Sequence, residues 1–213
     1  DYRMFSGCTS LLSLDLSKFD TSKAIKLNNM FDSCKSLKSL DLSSFNTENA
    51  QDISAMFFRC SNLEYVDVSS FKTSKATIIS SMFSQCNSLK SIDVSKFDVS
   101  KTSSLSSMFY DCYSLTSIDL SNFKTDNLES ISSMFYNCNK LTSIDITNFN
   151  TEKVRIVDGL FANCHSLESL NILSFHTKSV TDMSFMFSEC NSLKSLDLSN
   201  FKTKIVSDMR GMF

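Results

Sequence analysis

Eight cysteines, a recurrent aspartate and a few displaced aromatics are the residues in this chain with chemistry to offer. The cysteines stand at Cys8, Cys34, Cys60, Cys86, Cys112, Cys138, Cys164 and Cys190, always 26 residues apart. Stacked copies of a repeat lie about 5 Å apart at their strands. That is within the Cα reach of a disulfide, so distance alone leaves pairing open. Each Cys also closes an apolar stripe, where a small buried hydrophobe fits, and free buried thiols are the expectation. Zinc needs clustered ligands such as C-x-x-C, which this spacing does not supply. A nucleophilic Cys needs a base, and the chain has only two His. No catalytic, cofactor or metal residue is assigned.

The aspartates Asp15, Asp41, Asp67, Asp93, Asp119, Asp145 and Asp197 share one position of the same period, with Asn171 as the exception. Alternation places them opposite Leu40 and Leu42, on an exposed concave face. Carboxylates about 5 Å apart repel, so something offsets the repulsion. Cation binding or a basic partner is one reading. Hydrogen bonds from the flanking Ser and Thr columns, on adjacent strands, are the other. Asn171 suits the second, because an amide keeps the acceptor and loses the charge. Equivalent carboxylates do not make a glycosidase pair, which needs two acids in different environments. On these grounds Asp41, Asp67, Asp93, Asp119 and Asp145 are candidate partner-binding residues.

Residues that break the period are the other candidates, since a scaffold does not demand them. Tyr110 and Tyr136 follow the Met-Phe pair, Tyr113 follows Cys112, and Tyr65 and Leu173 replace serines on the concave face. Exposed aromatics are frequent interface anchors; the competing reading is that the tyrosines only cover the unit and pack on each other. Phe185 reads as extra packing, and His165 and His176 as surface residues.

The elements that position these side chains follow from the period. Met-Phe recurs from Met4-Phe5 to Met212-Phe213, with Leu160-Phe161 as the variant, and a second Phe recurs from Phe19 to Phe201. A fixed period of this length means a solenoid. Within one unit, Leu37, Leu40 and Leu42 follow the L-x-x-L-x-L start of a leucine-rich repeat, and Leu40-Asp41-Leu42 alternates as a short strand. Ile53, Met56, Phe57 and Cys60 stand at i, i+3, i+4 and i+7, the stripe of a helix. Thr47 and its equivalents precede that stripe as N-caps, with Val99 the exception. The expected fold is therefore α/β: a right-handed leucine-rich repeat solenoid of about eight strand–helix units, with a parallel sheet on the concave face. The array fills residues 1–213 and is expected to be an excerpt of a longer chain.

The full pattern C-x-x-L-x-x-L-D-L-S-x-F-x-T-x-x-(A/V)-x-x-(I/M)-x-x-M-F resembles the BspA-like leucine-rich repeats of bacterial and protist surface proteins. It is most similar to the 26-residue variety of mycoplasma surface lipoproteins, Firmicutes and protozoa. The resemblance covers the whole chain; Leu160, Asn171, Leu173 and Val99 depart from it. It implies cell-surface adhesion and binding of host or matrix protein, without catalysis, and it assigns no binding residue.

Composition narrows the remaining classes. Lys+Arg 21 against Asp+Glu 23 gives a net charge of −2, which argues against nucleic acid held by phosphate contacts. No apolar run is long enough to span a bilayer. Gly 3 and Pro 0 leave the bends to Ser, Thr, Asn and Asp and to stacking between units. The expected function is a non-enzymatic extracellular or cell-surface protein-binding module, with no cofactor. Its partner is a host, matrix or second copy of the chain. The alternative is a structural spacer or a fibre or sheath component, through end-to-end or lateral self-association.

Overall fold

The computed structural model describes residues 3–213. The chain winds as a solenoid in which each residue stacks on its equivalent 26 positions later. Two parallel strand pairs have this register: β1 (Ser39–Leu40) with β2 (Tyr65–Val66), and β3 (Ser143–Asp145) with β4 (Ser169–Asn171). Isolated parallel bridges such as Asp52 to Ile78 and Ser130 to Ile156 keep it elsewhere.

The strand side is narrower than the sequence suggests: among the described residues it forms two separate pairs, not one continuous sheet. The residues that end each strand explain why. Asp41 accepts the N–H of Ser43 at 2.9 Å, which takes that donor out of any ladder. The Leu42 carbonyl accepts the Phe45 N–H at 2.9 Å and the Ser70 hydroxyl at 3.1 Å. The alternation itself holds, with Leu40 and Leu42 buried and Ser39 and Asp41 exposed.

The expected helix is absent: no α-helix occurs among the described residues. Ile53, Met56, Phe57 and Cys60 are fully buried, as the stripe requires, but the backbone beneath them runs through consecutive tight turns. Phe58 N–H donates to Ala55 and Cys60 N–H to Phe57, three residues back. The alternate amides leave the unit altogether. Ile53, Ala55, Phe57 and Arg59 donate to the carbonyls of Ile78, Ser80, Met82 and Ser84 at 2.9–3.0 Å. Ala55 and Arg59 have φ of 50° and 60°, in the left-handed region that ends a helix. The same two positions are left-handed along the whole array, and all three glycines, Gly7, Gly159 and Gly211, occupy them. A helix of two or three turns is marginal alone; here the donors are satisfied by the neighbouring unit instead.

The threonines are also reassigned. Thr47 caps no helix. It is buried, its hydroxyl donates to the Lys72 carbonyl at 3.0 Å, and it accepts the Lys72 N–H at 2.7 Å. Thr21, Thr73, Thr125, Thr151 and Thr177 repeat the contact with Asn46, Asp98, Asn150, His176 and Lys202. Each hydroxyl therefore satisfies both backbone groups of one residue in the next unit.

The core is a set of ladders. Phe5, Phe31, Phe57, Phe83, Phe109, Phe135, Phe161, Phe187 and Phe213 stack in one column, with centroids 5.4–6.0 Å apart and planes within 18°. Such offset pairs add about 0.5–1.5 kcal/mol each beyond area burial. The cysteines form another column without disulfides. Cys60 donates to the Phe31 carbonyl at 3.0 Å, and Cys86, Cys112, Cys138 and Cys164 repeat this at 3.1–3.2 Å. Burial pushes the Cys34 and Cys190 thiols up to about 11 and the thiols between them higher still. These cysteines are packing residues with a weak donor.

Candidate functional site

Strand alternation carries the aspartate column to the surface. Asp41, Asp67, Asp93, Asp119 and Asp145 each accept the N–H of the residue two positions on, at 2.9 Å. The partners are Ser43, Ser69, Ser95, Ser121 and Thr147, in the same unit and not on adjacent strands. Hydrogen bonds from these residues hold every one of the five carboxyls below its ordinary range. For Asp67 the largest cause is the Ser69 hydroxyl, and the neighbouring Asp41 and Asp93 oppose it only weakly. Asn171 keeps the motif through its amide oxygen, which accepts the Leu173 N–H at 3.3 Å. One oxygen of each carboxylate serves the turn. The face is thus a row of fixed anions at neutral pH.

Tyr65 stands in that row. It is 58% exposed on β2, where neighbouring units carry Ser39 and Ser91. A shallow cleft opens on each side of it. One is lined by Asp41, Ser43 and Asp67, the other by Asp67, Ser69 and Asp93. An aromatic face beside paired carboxylates suits a cationic side chain. Leu173 is 47% exposed on the same face, four units further along.

Tyr110, Tyr113 and Tyr136 lie on the turn side. Tyr110 and Tyr136 stack on each other, with centroids 4.8 Å apart and planes 8° apart. Tyr113 is exposed beside them, above Asp111 and Asn137, which are joined by a 2.6 Å hydrogen bond from Asn137 Nδ2 to Asp111 Oδ1. Partial burial, then the Asp111 charge, raises the Tyr110 and Tyr113 phenols. Nothing joins this cluster to Tyr65, so the candidates form two groups, one on the strand face and one on the turn edge.

Sequence reading missed one supporting residue. A Cβ at Gly159 would lie 3.2 Å from both Tyr136 Cδ2 and Ser133 Oγ, so the glycine makes room for the Tyr136 ring. The signal was a Gly where Ser107 and Ser133 precede it in the column. Phe185 is 44% exposed and left-handed at φ 56°, and its ring packs over Gly211, in line with extra packing.

Stacked 26-residue units with buried leucines on a parallel strand side define a leucine-rich repeat solenoid protein. A family model described as "Mycoplasma protein of unknown function, DUF285" matches residues 2–91, 58–145 and 139–213. The chain belongs to that family, and the resemblance of its repeat to BspA-like leucine-rich repeats stands. Among solved structures it is similar to a leucine-rich repeat protein of T. pallidum, at 22% identity and a TM-score of 0.49, over 83% of this chain and 71% of that one. A leucine-rich cell surface protein of Faecalibacterium prausnitzii is similar at 19% identity and a TM-score of 0.37, over 93% and 70%. A leucine-rich repeat protein of Eubacterium ventriosum is similar at 15% identity and a TM-score of 0.40, over 92% and 63%. No curated protein matches the chain. Among the described residues no helix is long and apolar enough to cross a membrane.

Proposed function

We propose that the chain is a non-enzymatic adhesion module of the cell surface that binds a partner protein through its strand face. The observation that carries this reading is Tyr65. An aromatic side chain stands largely exposed between fixed carboxylates, at a position the scaffold fills with serine. The complement is a basic segment of a host, matrix or self protein. One of its Lys or Arg side chains would lie on the ring, worth about 0.5–1 kcal/mol at an exposed site, with the head group at Asp41, Asp67 or Asp93. Cell-surface placement is supported by the resemblance of the repeat to surface proteins. Leu173 and the Tyr110–Tyr136–Tyr113 cluster are secondary contacts.

The experiment restores the repeat. Tyr65→Ser, Tyr110→Ser and Tyr136→Ala install residues that other units carry, so each variant keeps the scaffold. Against a partner captured on cells or matrix, Tyr65→Ser is expected to weaken binding at least tenfold, as a hot spot does. Full binding by Tyr65→Ser and by Asp67→Asn would remove the strand face from the reading. The continuous Phe column favours a second role as a rigid spacer. In that case all three variants behave like the parent.

A further inference from the structure

The turn edge carries a cationic cleft apart from the strand face, in the columns that lead to Tyr113. Ser33, Lys35, Arg59, Ser61, Gln85 and Asn87 line a cleft of about 300 Å³. Three successive units supply two side chains each, from one left-handed turn position and from the position two residues on. Arg59 is already held in place. Its Nε donates to Gln85 Oε1 at 3.2 Å, and its guanidinium lies 4.6 Å over the Phe58 ring. Asn87 is fixed by donation to the Asp111 carbonyl at 2.9 Å.

Lys35 and Arg59 have no carboxylate within ion-pair distance among the described residues, as is the case for most of the chain's cations. The acid next in sequence, Asp32, already accepts the hydroxyls of Ser6 and Ser33. Equivalent positions elsewhere hold Gly7 and Thr9, Asn137 and Asn139, or Glu189 and Asn191. Two cations in neighbouring units are therefore not a demand of the repeat. A preorganised guanidinium fork beside a mobile ammonium is the arrangement that takes an oxyanion.

The surroundings narrow the ligand. All six lining side chains are polar, which suits a hydroxyl-rich molecule and not an acyl chain. From Lys35 the column runs through Ser61 and Asn87 to the exposed Tyr113. A linear ligand along it meets a cation, a hydroxyl, an amide and an aromatic in turn. We propose that this edge binds an acidic saccharide, with its sulfate or carboxylate group in the Lys35–Arg59 cleft and a sugar ring against Tyr113.

The test is titration of the 213-residue chain with a sulfated heparin tetrasaccharide, its desulfated counterpart and phosphatidylserine vesicles. The desulfated form, which keeps its uronate carboxylates, is expected to bind the parent more weakly but through the same cleft. Lys35→Gln/Arg59→Gln is expected to lower affinity for the sulfated form more than tenfold, and Tyr113→Ser several-fold. Added salt is expected to weaken the parent's binding. Lys101→Gln/Lys153→Gln, which removes two cations elsewhere, is the control and is expected to bind like the parent. Equal loss in the control, no loss in the cleft variant, or cleft-dependent binding of vesicles without the tetrasaccharide overturns the proposal. Both cleft side chains are exposed, so unchanged thermal midpoints will show that folding is not the cause.

Discussion

At the residue scale, burial was legible and hydrogen-bond partners were not. Thr47 was expected to satisfy backbone donors, and it does, but those of Lys72 in the next unit. A sequence shows that a hydroxyl recurs; it does not show which segment lies beside it. The exception makes a test. Val99 leaves Lys124 N–H and C=O without a protein partner among the described residues. Val99→Thr is expected to stabilise the array by about 0.5–1.5 kcal/mol, and Thr47→Val to cost about 1–3 kcal/mol, in urea unfolding. The left-handed positions give a second test. Ala55 adopts φ 50° with a Cβ present, and Ala55→Gly is expected to gain about 1 kcal/mol. Gly159→Ala is expected to lose at least as much, because strain and the contact with Tyr136 act together.

At the element scale, the strand is legible where β1–β2 and β3–β4 pair, but among the described residues neither the continuous sheet nor the helix expected from the spacing forms. Spacing of i, i+3, i+4 and i+7 fits a helix, but successive tight turns bury the same residues when their amides bond outside the unit. Nothing local distinguishes the two, since the discriminating partners of Ile53 or Phe57 lie 25 residues away. The strand ends were legible only in part: Asp41 was placed on the right face but given the wrong donors. Its real donors, in its own turn, make a pH prediction. Hydrogen bonds from Ser43, first from its backbone, hold Asp41 below its ordinary range. A depressed carboxylate contributes stability above its unfolded value, and that contribution is lost as pH falls through the folded value. The array is therefore expected to keep its urea midpoint down to about pH 4 and lose stability below. An Asp41→Asn/Asp93→Asn/Asp119→Asn variant keeps the acceptors and is expected to show a shallower acid slope.

At the scale of the whole molecule, the period was legible before anything else and survives intact. The Phe column holds its spacing from Phe5 to Phe213. The aspartate candidates are legible as members of that period, and Tyr65, Tyr110, Tyr113, Tyr136 and Leu173 as interruptions of it. Lys35 and Arg59 escaped because they stand in columns with no consensus to break, and only stacking brings them together. Since each unit contacts chiefly its neighbours, removal of residues 60–85 joins Arg59 to Cys86 and leaves every column aligned. That variant is expected to fold cooperatively, with a modest drop in thermal midpoint. One residue inserted after Ser61 puts the rest of that unit out of step with the unit before it and is expected to lower the midpoint much further. The same interchangeable junctions have a hereditary consequence. Unequal recombination between repeats of a gene adds or drops whole units in frame, and each such product is expected to fold. Lineages can thus change the length of the array in one event, while its junctions confine point mutation to the exposed columns.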